Sequence, residues 1–101
     1  SVVEQLLRSG TRVEAEVTQV PLPDPHASRS LAPVVAKFTD AWGTDRWITC
    51  TVMLPPQEFP KVGDRRPLIF DPTNPGDTTR IFFSATGATD PESFQPVRAA
   101  S

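Results

Sequence analysis

Two stretches decide the fold: Pro33-Val34-Val35-Ala36-Lys37-Phe38-Thr39 and Arg46-Trp47-Ile48-Thr49-Cys50-Thr51-Val52-Met53-Leu54, joined by Asp40-Ala41-Trp42-Gly43-Thr44. In the first, Val34, Ala36 and Phe38 alternate with Val35, Lys37 and Thr39. In the second, Ile48, Cys50, Val52 and Leu54 alternate with Trp47, Thr49, Thr51 and Met53. A repeat of two is the side-chain period of a strand, so each stretch presents one apolar face and one mixed face. The joining segment is of hairpin length, and Gly43 is free to take the positive φ that such a turn requires. This hairpin is read as the centre of the fold.

The same period appears on both sides of it. Towards the N-terminus, Val13, Ala15 and Val17 alternate with Arg12, Glu14, Glu16 and Thr18, which predicts a first strand over 11–20. Pro21-Leu22-Pro23-Asp24-Pro25 then forbids regular pairing and opens an exposed loop over 21–31, because proline offers no ladder donor. Towards the C-terminus, Val62-Gly63-Asp64 marks a chain reversal, and apolar cores predict strands over 66–70 and 78–84. Between those strands lies Asp71-Pro72-Thr73-Asn74-Pro75-Gly76-Asp77, the densest turn chemistry in the chain. Its reading is structural: Asp71 and Asn74 accept amide hydrogen bonds, and Gly76 supplies a conformation other residues resist.

Residues 1–10 carry Val2, Val3, Leu6 and Leu7 at helical spacing, with Glu4 and Arg8 placed for an ion pair and Gly10 as the cap, which predicts a short helix. From Ala85 the chain is small, polar and proline-containing, and 85–101 is read as a flexible tail beyond the 11–84 barrel domain. The whole is therefore all-β: a five-to-six-stranded antiparallel barrel or strongly curved sheet, of oligonucleotide-binding or SH3 type, with a short N-terminal helix. Closure into a barrel removes edges that invite aggregation.

Composition bounds the function. The 101 residues make one domain; 38% are hydrophobic and 22% charged, ordinary values for a globular protein. Net charge is −2, and only Arg65-Arg66 forms an adjacent basic pair, so the basic stripe of a nucleic-acid binder is missing and no nucleic acid is expected. Cys50 is the sole cysteine, which rules out an intrachain disulfide and a cysteine-based metal site. No apolar run approaches the ~20 residues that cross a bilayer as a helix. A start at Ser1 and an Ala/Ser ending suit a segment of a longer chain.

The chemistry-bearing residues are few. Cys50 lies mid-strand on the apolar face and reads as a small buried hydrophobe, and His26, the one histidine, sits in the proline loop without ligand partners. Asp71, Asn74 and Asp77 have the wrong spacing for a calcium loop. No Gly-x-Ser-x-Gly elbow and no glycine-rich phosphate loop is present. The reading is therefore not an enzyme, with no catalytic, cofactor or metal residues. Trp42, Trp47 and Phe59, with Arg46 beside the tryptophans, are the residues a docking surface would use, packing under the long loop being the competing role for Trp47.

The order of these features resembles a known family. Gly10 followed by Thr-Arg-Val-Glu-Ala-Glu-Val17, the Pro33 to Gly43 strand and turn, and Val62-Gly63-Asp64 leading to Asp71-Pro72-x-Asn74-Pro75 resemble the bacterial domain-of-unknown-function family 3592, over about residues 8–83. The chain departs from that pattern in Arg65-Arg66-Pro67, where an apolar residue normally follows Asp64. Members of the family are usually membrane proteins with a small β-domain beside transmembrane helices. The resemblance implies a domain at the bacterial cell membrane, tethered through segments outside this chain and engaging a protein partner. It carries no assigned activity. A single-strand nucleic-acid-binding barrel and a hydrolase with an unrecognised site are the alternatives from other classes.

Overall fold

A computed structural model describes residues 1–100. Helix α1 (Val2–Ser9) is followed by strands β1 (Thr11–Gln19), β2 (Ser30–Thr39), β3 (Asp45–Leu54), β4 (Arg65–Phe70), β5 (Ile81–Phe83), β6 (Gln95–Pro96) and β7 (Arg98–Ala99). All pair antiparallel in the order β6-β5-β4-β1-β2-β3-β7. The first and last strands of that order, β6 and β7, are separated in the chain by Val97 alone. One edge of the sheet is thus tied to the other through a single residue, and the sheet curls into a nearly closed barrel. The all-β barrel with a short N-terminal helix agrees with the sequence reading, with seven strands in place of five or six.

The central hairpin pairs without a slip from Ser30 opposite Leu54 to Thr39 opposite Asp45. Its inward residues, Ala32, Val34, Ala36, Phe38, Ile48, Cys50 and Val52, are all buried, together with Ala15 and Val17 of β1 and Leu68 and Phe70 of β4. The rings of Phe38 and Phe70 meet at 5.0 Å between centroids, tilted by 42°, an ordinary aromatic contact across the barrel. Gly43 and Gly63 take positive φ, as their turns require. The Gly63 reversal is bonded to β1 on both sides: Gly63 N–H donates to the Val17 carbonyl and Val17 N–H to the Asp64 carbonyl, each at 2.8 Å.

Several boundaries differ from the sequence reading, each for a physical reason. Strand β2 begins at Ser30, not Pro33, so Leu31 belongs to the sheet. Its first residues overhang β1, whose pairing with β2 begins only at Gln19 opposite Val35, so Pro33 can lie in a non-edge strand without breaking a ladder there. The register between β1 and β2 shifts between Val17 and Gln19, a bulge around Thr18. The basic pair and Pro67 do not delay β4, which starts at Arg65. Residues Thr78–Arg80 form a single 3-10 turn, leaving three residues for β5.

The 85–101 segment is not a separate appendage. Over the described part it supplies β6 and β7, and between Ala85 and β6 it buries Phe94, which is 4% exposed, against Leu6 of α1 and Ile69 of β4. This second small core covers the outer face of β4 and β5, and Val3, Leu7 and Phe82 complete it. Burying a phenylalanine contributes about 1.5–3 kcal/mol, enough to order a short polar segment around it. Gly10 caps the C-terminus of helix α1 as expected, its N–H donating to the Leu6 carbonyl at 2.8 Å, but the expected Glu4–Arg8 ion pair is replaced by an N-terminal cap. Glu4 closes a capping box with Ser1 instead of pairing with Arg8: Glu4 N–H donates to Ser1 Oγ at 3.2 Å, and the Ser1 amino group donates back to Glu4 Oε1 at 3.5 Å.

Candidate interaction face

The helix and Phe94 cover one outer side of the barrel; the outer side of the central hairpin is exposed towards both ends, while Thr49 in its middle is buried and Val35 half-buried. There the register stacks five cross-strand pairs in order: Leu31 with Met53, Pro33 with Thr51, Val35 with Thr49, Lys37 with Trp47, and Thr39 with Asp45. Directly opposed side chains on one face of a sheet touch, so these pairs form a continuous ladder. Leu31, Met53 and Trp47 stand out of it, exposed by 63%, 48% and 48%.

The polar end of the ladder is locally wired. Lys37 Nζ lies 5.8 Å from the centroid of the Trp47 ring and 3.4 Å from Asp45 Oδ2, while Thr39 Oγ1 donates to Asp45 Oδ1 at 2.7 Å. The Thr39 hydroxyl, with the Lys37 ammonium, outweighs partial burial and holds the Asp45 carboxyl below the usual range. On the other side β7 borders the face, where Arg98 Nη1 donates to Thr51 Oγ1 at 3.0 Å. Between them runs a groove of about 550 Å³ lined by Thr18, Gln19, Val35, Trp47, Thr49 and Arg98.

The structure separates the four residues read as an interaction surface. Trp47 alone lies on this face. Trp42 is at the tip of the hairpin turn, 72% exposed, its amide donating to Asp40 Oδ1 at 2.8 Å. Arg46 is a pin: its Nε donates at 2.9 Å to Oδ2 of Asp40, whose carboxyl is fully buried, and its guanidinium reaches the Asp71–Asp77 turn beside Gly76. Phe59 is buried in the core at the opposite end of β3. It floors a smaller apolar cleft of about 330 Å³, with Val20, Pro21, Leu22, Pro60 and Val62 around it. The sequence reading leaves Leu31 out of the sheet because Pro33 reads as a strand start; it places Met53 on the Trp47 face without its partner, so the Leu31–Met53 pair goes unseen. Continuing the alternation two residues past it places Leu31 on the Val35 face.

The turn at 71–77 is built from hydrogen bonds within the chain. Asp71 Oδ1 accepts from the Thr73 amide at 2.9 Å and hydroxyl at 2.7 Å, and Oδ2 accepts from Arg80 Nε at 2.9 Å. The second acceptor is Asp77, bonded by the amide and hydroxyl of Thr79, and not Asn74, which contributes its main chain. Gly76 is not in the left-handed region, which corrects the role read for it. Cys50 is fully buried, and burial pushes its thiol up to about 12. Among the described residues no group of three or more His, Cys, Asp or Glu is placed to hold a metal ion, and no helix is long and apolar enough to cross a membrane.

No family model, curated protein or solved structure matches this chain.

Proposed function

We propose that this chain is a non-enzymatic docking domain of a bacterial membrane protein, binding a protein partner through the outer face of the β2–β3 hairpin. The observation that carries the docking role is the open ladder in which Leu31, Met53 and Trp47 stand exposed beside a groove, on a barrel whose other outer side is covered by its own helix. Contiguous exposed apolar side chains rimmed by polar ones mark interaction sites on small domains. Apolar Leu31 and Met53 at one end, with Trp47 beside the charged Lys37 and Asp45 at the other, supply the aromatic and apolar anchors and polar rim that protein interfaces use. The bacterial and membrane parts of the reading are supported by the resemblance to family 3592 through Val62-Gly63-Asp64 and Asp71-Pro72-x-Asn74-Pro75. Tethering then lies in segments outside this chain.

The test uses the full-length gene product in its bacterial host, carrying a photoreactive residue at Leu31, Met53 or, as control, Thr79. Recovery in the membrane fraction, with discrete crosslinked species from Leu31 and Met53 but not from Thr79, is expected. Recovery of the full-length product in the soluble fraction overturns the tethering. Equal crosslinking from all three positions overturns the docking face.

A further inference from the structure

Resting on that docking face, we infer that its partner is a second copy of this chain, whose Pro21-Leu22-Pro23-Asp24-Pro25 segment enters the Trp47 groove. The segment has the properties of a groove ligand. Its prolines fix φ near −65°, and the residues before them are driven out of the helical region, so it is held extended and loses little freedom on binding. Leu22 is 98% exposed, more than any other large apolar side chain in the protein. Extended proline segments are recognised by grooves with an aromatic wall. The groove here has Trp47 as one wall, Val35 and Thr49 beneath, and the Arg98 guanidinium opposite.

The charges match as well. Asp24 Oδ1 accepts from the His26 amide at 2.9 Å, which leaves Oδ2 for a cation, and the Arg98 guanidinium lines the groove. The segment's own position favours exchange between two copies. It leaves β1 directly after Gln19, which lines the groove, and then runs over Phe59 and Pro60, away from it. Three extended residues reach about 10 Å, so a two-fold axis beside Gln19 lets each copy place Leu22 in its neighbour's groove. Such an arrangement is reciprocal and closes at a dimer.

The test is sedimentation of the domain over a concentration series, in a Trp42→Phe background that leaves Trp47 as the sole indole. A monomer–dimer equilibrium is expected, with Trp47 fluorescence changing as dimer forms. Leu22→Asp and Trp47→Ala should each abolish it, and both variants must first show the parent's circular dichroism. Mixing the two should restore a weaker heterodimer, because one intact segment then meets one intact groove. A synthetic peptide of residues 20–26 should shift Trp47 fluorescence, and Asp24→Asn in that peptide should weaken binding several-fold. A domain monomeric to millimolar concentration and indifferent to the peptide overturns the inference, as does a dimer that survives Leu22→Asp. Crosslinks from Leu31 and Met53 to a different protein, with no self-association, leave the docking face standing and remove only this choice of partner.

Discussion

Gly10 and Gly76 show how differently two glycines constrain this chain. Gly10 is extended, at φ −85°, so no left-handed geometry demands it. What demands it is close approach: a Cβ there would lie 2.7 Å from the Leu6 carbonyl oxygen and 2.8 Å from that of Phe70. Both are backbone atoms that cannot swing aside, so Gly10→Ala should destabilise by about 1–3 kcal/mol, the usual cost of overpacking. At Gly76 a Cβ would meet only the end of the Arg46 side chain, at 3.1 Å. Gly76→Ala should therefore stay within about 0.5 kcal/mol of the parent. Urea denaturation of both variants checks this; a larger loss at Gly76 than at Gly10 would refute the packing argument. The sequence shows glycine at a turn but not why it is there. Likewise it shows that an acid in 71–77 accepts hydrogen bonds, without showing whether Asn74 or Asp77 turns its side chain inward.

At the scale of elements, two connections are pinned by an arginine and an acid: Asp40 with Arg46 across the hairpin turn, and Asp71 with Arg80 across the turn before β5. Burial works to raise the Asp40 carboxyl, but the Thr44 and Trp42 amides and Arg46 outweigh it and hold it below the ordinary range. For Asp71 the Thr73 hydroxyl and amide dominate, burial opposes them, and Arg80 adds to the lowering. A carboxyl with a lowered folded pKa contributes stability that is complete above its unfolded value and lost as pH falls through the folded one. The melting temperature should thus be level from pH 7 to about 5 and fall below about pH 4. Asp40→Asn should melt lower at pH 7 and show a shallower acid decline. A parent whose melting temperature rises on acidification would contradict both pins. The hairpin's two faces were legible because a period of two over ten residues leaves little choice. The extent of its open face was not, because whether a proline starts a strand or overhangs a neighbour depends on where β1 ends.

At the scale of the whole molecule, the barrel is brought nearly to closure by the segment that composition marks as a tail. Dipeptide strands such as β6 and β7 are too short for any periodicity to register, and Phe94 is a lone aromatic among polar residues, so neither pairing nor burial can be read before the two sheet edges are known to meet at Val97. Phe94→Ala should cost about 3–5 kcal/mol by emptying the small core under α1, and a loss under 1 kcal/mol in a denaturant titration would mean the ring is not held there. Closure itself is reported by Cys50. Its Sγ lies 3.5 Å from the Pro96 carbonyl, fully buried under β6, and its thiol is pushed up to about 12. The direct measurement is the rate of Cys50 modification by a small thiol reagent at pH 8, in the full chain and in a chain ending at Phe94, both first shown to be folded by circular dichroism. Slow modification in the full chain and much faster modification in the shortened one is the expected result. A full chain modified as fast as denatured protein, or a folded shortened chain modified as slowly as the full one, would contradict a barrel closed by its C-terminal strands.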